Sequence, residues 1–443
     1  MDRENINLIQ SITLKKHPMK SMKLKYKKLY FIWLEYLVLR VEEKNSYLET
    51  RLNQYHAFLI GKENTPTLTD EILHKKHFFI GNYIVSWRKK IPYWLLCDIA
   101  LIIRDDAKIK STAILISELL GKRKSRKIDI FLSELQSSLE MSNSMKHTTY
   151  LANQYRINRD FGKQRETRFI IASNVSSGKS TLINAIVGKH LTRTSQEICT
   201  GNLCYIYNKP YEDNLVHLSS TSLNLNASES DISQLNSSAK SSIASYFRTT
   251  FPIRRVCIID TPGVNSSINK QHRKITYDLL KGGEYDKLIY IINANKLGTD
   301  EEKESLDWIS KHIQKDKVVF VLNKLDTFSI YEDSIEISLK NVRKDLKNIG
   351  YDNPIICPLS SYFAYLTKLK FYHEYMTEDE IDQYNLFVKK FSKNEYDLST
   401  YQDNIHHSSD NAHYGSDNSE FIQLSKKCGL FALEQILYGG NKR

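Results

Sequence analysis

The 443-residue sequence lacks several features that would assign it at once to a class of protein. Its most apolar runs, Leu29–Leu39 and Tyr93–Ile103, are about half as long as the roughly 20 residues of a membrane-spanning helix, and each contains an acid, Glu35 or Asp98. No basic and then apolar leader precedes a small-residue cleavage site. The six cysteines form no CxxC pair, and no histidine cluster has zinc-ligand spacing. These absences favour a cytoplasmic protein with reduced thiols.

Glycine and proline are also scarce, with 16 and 8 residues, and the sequence contains no internal repeat. The composition is otherwise that of a globular protein, with 41% hydrophobic and 26% charged residues. At roughly 100–200 residues per domain, this length predicts two or three domains with sizeable cores.

Positive charge is concentrated in the first part of the chain. Residues 1–164 contain 29 Lys and Arg against 17 Asp and Glu, whereas residues 165–443 contain 34 of each. The first part therefore carries the whole net charge of +12, with clusters at Lys15–Lys28, Arg88–Lys90 and Lys122–Lys127. A basic module joined to a neutral one predicts an anionic partner, either nucleic acid or an acidic lipid surface, although a solvated helical face would have the same pattern.

The apolar pattern changes near Thr167. Residues 1–164 have helical periodicity and predict a basic α-helical module, with helices at about 22–60, 68–90, 93–104, 109–121 and 128–160. Residues 165–443 alternate β-rich runs with helical stretches, which predicts an α/β domain with a mainly parallel sheet and helices on both faces. The predicted strands are Arg168–Ser173, Leu203–Asn208, Ile253–Ile259, Lys287–Asn293, Lys317–Leu322 and Ile355–Leu359. Ser219–Ser242 and Ser392–Glu420 are predicted surface loops, and the last helical segment, Phe421–Tyr438, is broken at Cys428-Gly429.

The first predicted strand leads directly into a phosphate-binding loop. Its nucleotide-contacting residues are predicted to be Asn174, Val175, Ser176, Ser177, Gly178, Lys179, Ser180 and Thr181. Backbone N–H groups and the helix N-terminus would face the phosphates, Lys179 would contact the β and γ phosphates, and the Ser180 hydroxyl would ligate Mg²⁺. The opening position of the GxxxxGK[ST] pattern is Ser173 instead of glycine.

Two further motifs follow later strands. Asp260-Thr-Pro-Gly263 places a carboxylate where it can reach the Mg²⁺ shell and a glycine N–H where it can sense the γ-phosphate. Asn323-Lys324-Leu-Asp326 places a carboxylate that can accept two hydrogen bonds from guanine, a pair that adenine cannot supply. Ser360 and Ser361, after the last strand, are predicted to complete the guanine pocket. Three motifs in this order, each at the carboxyl end of a strand, predict a P-loop GTPase domain that binds GTP or GDP.

A mobile loop should supply one more Mg²⁺ ligand that senses the γ-phosphate. Thr192, Thr194 and Thr200 are available, and Thr200 is chosen because it is nearest the second strand. The position that often carries a water-orienting glutamine is Val264. Either another group orients the water, for which Ser176 and the Thr200 backbone carbonyl are the candidates, or hydrolysis is slow until a partner arrives.

The sequence resembles the dynamin-like large GTPases over roughly residues 165–440. The resemblance rests on NVSSGKSTLINAIVG (174–188), DTPGVNSSINKQHRKIT (260–276), LIYIINANKLGTDEEK (288–303) and VVFVLNKLDTF (318–328), and on the 81-residue separation of Lys179 from Asp260. It implies a GTP-dependent dimer across the nucleotide face, with membrane binding or remodelling as a common output. It also implies that Ser176 organises the catalytic water and that Thr200 acts in a switch loop. The family often has glutamine where this chain has Val175, and it usually continues into a long helical stalk.

The predicted catalytic residues are therefore Ser176, Lys179, Thr200 and Gly263, and the predicted Mg²⁺ ligands are Ser180, Thr200 and Asp260. The predicted function is hydrolysis of GTP to GDP and phosphate, coupled to a membrane or to assembly with a partner protein. The partner would be a second copy or another dynamin-like subunit, and the protein would be cytoplasmic or peripheral to a membrane. Two alternatives are a nucleic-acid-associated GTPase and a slow GTP-sensing subunit that needs a stalk-bearing partner.

Overall fold

A computed structural model describes residues 3–63, 88–120, 122–138, 140–191, 203–233, 240–262, 270–329, 331–402 and 419–439. The chain forms two compact units. The first contains Met1–Gln164 with the short segments Pro210–Asn214 and Ser222–Leu225, and the second contains the rest of the chain.

The first unit is helical. Its described elements are α1 (Arg3–Leu8), α2 (Leu24–Val41), α3 (Ser46–Leu59), α4 (Ile91–Ile103), α5 (Asp106–Leu120), α6 (Lys122–Gln136), α7 (Thr149–Lys163) and the short strand β4 (Leu223–Asn224). Helix α4 is apolar all round, and every residue except Tyr93 is buried, so it forms the centre of this core. None of the described helices is both long enough and apolar enough to cross a membrane.

The one acid of α4 is satisfied inside this core. Asp98 is fully buried, and its carboxylate accepts hydrogen bonds from the Tyr30 and Tyr55 hydroxyls and contacts His17 Nε2 at 2.9 Å. Because a buried carboxylate is costly unless it is hydrogen-bonded, these three side chains tie α2, α3 and the segment before α2 to α4.

The second unit is an α/β domain. Its other described elements are β1 (Thr167–Ser173), α8 (Lys179–Val187), β2 (Leu203–Asn208), β3 (His217–Ser219), α9 (Glu229–Ser233), β5 (Lys240–Ser245), β6 (Val256–Asp260), α10 (Lys270–Gly282), β7 (Lys287–Asn293), α11 (Asp300–His312), β8 (Val318–Asn323), α12 (Ile335–Asn348), β9 (Ile355–Pro358), α13 (Ser361–Phe371), α14 (Glu378–Phe391), α15 (Ser419–Lys427) and α16 (Leu430–Tyr438).

The strands of this unit form one sheet in the order β3-β5-β2-β6-β1-β7-β8-β9. All neighbours are parallel except β2 with β6 and β3 with β5. The carboxyl ends of β6, β1, β7 and β8 therefore lie at one edge of the sheet, which brings the predicted motifs together. The predicted fold class, a P-loop GTPase domain with a mainly parallel sheet and a preceding helical module, is confirmed.

Some predicted boundaries are wrong. The helix predicted at 22–60 is two helices, because Glu42 is extended and Asn45 starts a new helix by accepting a hydrogen bond from the Leu48 N–H. The helix predicted at 128–160 is also divided, by a short 3₁₀ turn over Asn143–Thr148. The helix predicted at 68–90 lies mostly outside the described residues.

The last helical segment belongs to the second unit. It is broken as predicted, between α15 and α16, where Gly429 has a φ of 87°. A Cβ at this position would lie 2.0 Å from the Pro358 carbonyl oxygen, so glycine is required. Glu434 of α16 forms a buried ion pair of 2.6 Å with Lys368 of α13. The segment therefore packs as terminal helices of the α/β domain.

Candidate nucleotide-binding site

The phosphate-binding loop joins β1 to α8 with unusual backbone angles at two residues. Ser176 has a φ of 64° and Gly178 a φ of 90°. A Cβ at Gly178 would lie 2.4 Å from the amide nitrogen of the Asn323 side chain, so this position needs glycine for space as well as conformation. Ser173, by contrast, is a buried residue of β1 opposite Ile291 of β7, and its φ is not positive. The missing first glycine of the motif is therefore accommodated by regular strand backbone.

Side chains at the carboxyl ends of neighbouring strands hold the loop in place. Asn293, at the end of β7, donates to the Ser176 carbonyl oxygen at 3.2 Å. Asn323, at the end of β8, donates to the Ser177 carbonyl oxygen at 2.8 Å. The Ser177 hydroxyl in turn donates to the Asn174 carbonyl oxygen at 2.9 Å. The Ser176 and Ser177 carbonyl oxygens are therefore held by hydrogen bonds from the ends of β7 and β8. This arrangement favours exposure of the loop N–H groups to an anion.

Lys179 and Asp260 form an ion pair at this edge of the sheet. Lys179 is the first residue of α8 and Asp260 the last residue of β6, and their side chains are 15% and 4% exposed. Ser180 follows Lys179 and is half-buried, and Thr181 lies next to it in the same turn. The arrangement brings one ammonium, one carboxylate and a hydroxyl-bearing residue together at a helix N-terminus. A carboxylate and a hydroxyl are hard oxygen donors, the kind that Mg²⁺ prefers, so Asp260 and Ser180 fit that ion.

The predicted guanine-binding residues also come together. Asn323 is buried, and its side-chain oxygen accepts a hydrogen bond from the Ser361 N–H at 3.0 Å. Lys324 has a φ of 69°, which turns the chain sharply after β8. The Ser360 hydroxyl donates to Asp326 Oδ1 at 2.7 Å and accepts from the Phe363 N–H at 3.2 Å, so it both caps α13 and orients the carboxylate.

A lysine from α14 supports the same loop. Lys390 Nζ donates to the carbonyl oxygens of Asp326 and Phe328, each at 2.6 Å, and lies 4.6 Å from the ring centroid of Tyr396. Burial lowers the pKa of this lysine. The backbone on both sides of Thr327 is therefore anchored to a helix distant in sequence.

Asn174 is anchored to α11. Its amide nitrogen donates to Glu302 Oε2 at 3.0 Å, and its side-chain oxygen accepts from the Ser305 hydroxyl at 3.3 Å. Glu302 is 4% exposed, and burial raises its pKa to about 7. An acid that titrates near neutral pH thus lies directly against the phosphate-binding loop.

Sequence reasoning identified the motif residues but missed their supports. Asn293 and Glu302 lie inside the segment LIYIINANKLGTDEEK, so their proximity to the motifs was visible although no role was assigned. Lys390 had no sequence signal. Thr200 and Gly263, together with Val264, lie outside the described residues. Val175 is 41% exposed on the loop.

Comparison with known proteins gives a family match to part of this domain. Residues 170–325 match the model of the dynamin family. The chain is 26% identical over 234 residues to an uncharacterized protein in the xynA 3′ region of Caldicellulosiruptor sp. (strain Rt8B.4), covering 51% of this chain and 56% of that protein. It is 27% identical over 203 residues to the probable transmembrane GTPase FZO-like, chloroplastic, of Arabidopsis thaliana, covering 45% of this chain and 20% of that protein. The chain thus spans about half the length of the first relative and a fifth of the second.

Among solved structures, this chain is similar to one chain of an oligomerised bacterial dynamin pair, which is described as sensing and tethering membranes over long range. The two chains are 14% identical with a TM-score of 0.37, and 88% of this chain and 60% of that chain are covered. Toc33 from Arabidopsis thaliana in complex with Mg²⁺ and GMPPNP is 16% identical with a TM-score of 0.29, and 47% and 79% of the two chains are covered. The family match over residues 170–325, together with the strand, loop and helix that carry the phosphate-binding motif, identifies a dynamin-like GTPase domain that covers part of this chain.

Proposed function

We propose that the protein binds GTP and GDP through its second unit and hydrolyses GTP to GDP and phosphate with Mg²⁺. The observation that carries the proposal is the convergence of Lys179, Asp260, Asn323 and Asp326 at one sheet edge. Phosphate-binding, metal-binding and base-binding groups are all needed for this reaction, and chance loops would not bring them together in the order of the three motifs. The dynamin family match over residues 170–325, which include Lys179, Asp260 and Asn323, supports it.

Each residue has a role in this proposal. Lys179 leaves Asp260 and contacts the β and γ phosphates, while the N–H groups of residues 174–181 bind the phosphate oxygens. Ser180, Asp260 and Thr200 hold Mg²⁺, and Gly263 senses the γ-phosphate. Bound Mg²⁺ supplies positive charge that neutralises the phosphate oxygens. Asp326 accepts two hydrogen bonds from guanine, with Asn323, Lys324, Ser360 and Ser361 completing the pocket.

The groups that would position the attacking water are few. Val175 exposes an apolar side chain on the phosphate loop and Ser176 follows it. We therefore propose that Ser176 and Thr200 orient the water, and that turnover is slow until a second copy or a related subunit closes over the nucleotide. Positioning and electrostatic stabilisation supply nearly all the catalysis in phosphoryl transfer, so closure of this face would raise the rate.

The basic first part of the chain suggests what the nucleotide cycle acts on. We propose that residues 1–164 form a separate domain that attaches the protein peripherally to an anionic membrane surface. Its excess of positive charge supports this proposal, and exposed lysines lie at Lys15, Lys16, Lys20, Lys23 and Lys25. The family match supports a link between GTP hydrolysis and membranes.

The nucleotide specificity tests the central proposal. Wild-type protein should bind GDP and GTP far more tightly than ATP, and Asp326→Asn should shift the preference from guanine to xanthine nucleotides, because an amide complements the xanthine edge. Titration of fluorescent GDP, XDP and ADP analogues measures this preference. The matched control is Asp352→Asn, the same change at an exposed loop position after α12. Equal affinity of the wild type for the ADP and GDP analogues would overturn the proposal.

A further inference from the structure

Asn174 links the phosphate-binding loop to helix α11. Both polar atoms of its amide are used there, one with Glu302 and one with Ser305. The Ser305 hydroxyl also donates to the Glu301 carbonyl oxygen at 3.0 Å, so its single proton is divided between that oxygen and the Asn174 side-chain oxygen. The hydrogen bond between Asn174 and Glu302 is therefore the stronger of the two anchors. Asn174, Glu302 and Ser305 are all at least nine-tenths buried.

We propose that Glu302 is a positioning residue, which holds the phosphate-binding loop through the Asn174 amide. Binding of a nucleotide at this loop is then accompanied by the uptake of a proton by Glu302. The inference rests on the proposed function, since it concerns the binding of nucleotide phosphates at that loop. It assigns Glu302 no contact with the nucleotide.

The surroundings of Glu302 favour its neutral form. No described lysine, arginine or histidine forms an ion pair with it, and its Oε1 and the Tyr290 hydroxyl are both buried. The groups that face it are Tyr290 from β7, Asn174 from the loop and Ser305 and Glu301 from α11. Of these, Tyr290 and Asn174 favour a charge on Glu302, whereas Glu301 disfavours it. Burial is the largest cause, and the pKa of about 7 means that Glu302 exists in both protonation states at neutral pH.

Nucleotide binding should change this balance. The phosphates bring negative charge to the loop, and a like charge disfavours an ionised carboxyl group. The Asn174 amide keeps its acceptor in either state, because a protonated carboxyl group retains a carbonyl oxygen. The cost of ionised Glu302 is therefore electrostatic, and it is present above a pH of about 7 and absent below it. The affinity for nucleotide should fall as the pH rises through this value.

The experiment measures GDP affinity of the full chain between pH 6 and pH 8.5 by titration with a fluorescent GDP analogue. A rise of half to one unit in the Glu302 pKa on binding corresponds to a wild-type affinity loss of about three- to tenfold over this range. Glu302→Gln keeps an acceptor for Asn174 without charge, so it should remove this loss. Glu302→Leu lacks the acceptor and should weaken binding at every pH. Glu304→Gln makes the same chemical change at an exposed position of the same helix and should behave as the wild type.

The variants are compared with the wild type because the terminal phosphate of GDP itself titrates in this range. Calorimetry in two buffers of different ionisation enthalpy adds a direct count of the protons taken up, which should be smaller for Glu302→Gln than for the wild type. Identical pH profiles and proton counts for wild type and Glu302→Gln would overturn the inference, as would normal binding by Glu302→Leu. If the wild type binds no GDP at any pH, the proposed function itself fails.

Discussion

At the scale of single residues, Lys179 and Asp260 form the most consequential contact of the site. Their pairing gives the buried Asp260 carboxylate a counter-charge. The same lysine is the side-chain cation that the motif presents to the phosphates. Under the proposed function, Lys179 would contact the phosphates in place of Asp260, and Asp260 would then be available as a ligand for a metal ion.

We expect Lys179→Ala to lower GTP turnover by about a hundredfold or more, the usual loss when one preorganised charge-stabilising donor is removed. Release of phosphate at saturating GTP measures this effect. Lys344→Ala, at an exposed position of α12, is the matched control and should leave turnover unchanged. Thermal unfolding of both variants checks that the fold is retained. Turnover by Lys179→Ala within a few-fold of wild type would mean that the loop does not hold the triphosphate.

Residue identity predicted that the motif residues lie together better than it predicted the groups that support them. Gly178, Asn323 and Asp326 occur in fixed motifs, so their proposed roles follow from spacing. Glu302 lies in the run Asp300-Glu-Glu, which is typical of the exposed first turn of a helix, where acids favour the macrodipole. Only the packing of α11 against the loop shows that the third acid is buried, and no local pattern carries that information.

At the scale of elements, the apolar strands were predictable and the polar strand was not. The strands β1, β7 and β8 are buried on both faces of the sheet and consist of continuous apolar runs, so composition alone identified them. Strand β5 has the sequence KSSIAS, whose serines give no apolar run, and its first three residues lie in the predicted loop Ser219–Ser242. It is a strand because it pairs with β2 and β3 on its two sides, which is a long-range effect.

Helix α14 gives a prediction about how one element supports a distant loop. Lys390→Met keeps the length of the side chain but removes both hydrogen bonds to the loop that carries Asp326. Because a hydrogen bond of this kind contributes about 1 kcal/mol, the loss of two should weaken GDP binding by about tenfold or more. The turnover rate at saturating GTP should change much less, because both hydrogen-bond partners of Lys390 belong to the loop after β8 and not to the phosphate-binding loop. GDP titration and a turnover curve separate the two effects.

The adjacent lysine supplies the control for this experiment. Lys389→Met changes the same residue type in the same helix, at an exposed position. It should bind GDP as the wild type does. Equal affinities of the two methionine variants would show that α14 does not hold the guanine-binding loop.

At the scale of the whole molecule, charge and chemistry are divided between different parts of the chain. The proposed nucleotide site lies entirely in the second unit, and residues 165–443 taken together have no net charge. The excess of positive charge lies in residues 1–164, which contribute none of the proposed site residues. Variants of the basic region should therefore change binding to an anionic surface without changing nucleotide affinity, which makes the two activities separable by mutation.

The basic region of α6 tests this separation. Arg126 and Lys127 are exposed, and each basic residue near an anionic membrane surface contributes about 1 kcal/mol of attraction. Replacing both with Glu should weaken binding of the full chain to phosphatidylserine vesicles by at least about tenfold at low salt, and by less as salt rises. Lys344→Glu with Lys347→Glu places the same number of reversed charges on exposed positions of α12 and should change vesicle binding little. Vesicle co-sedimentation measures binding, and GDP titration should give wild-type affinity for both double variants.

The wild-type protein also distinguishes the possible anionic partners. If it does not bind the vesicles but binds an RNA oligonucleotide in a salt-dependent way, the partner is nucleic acid. If it binds neither, the basic face is only solvated.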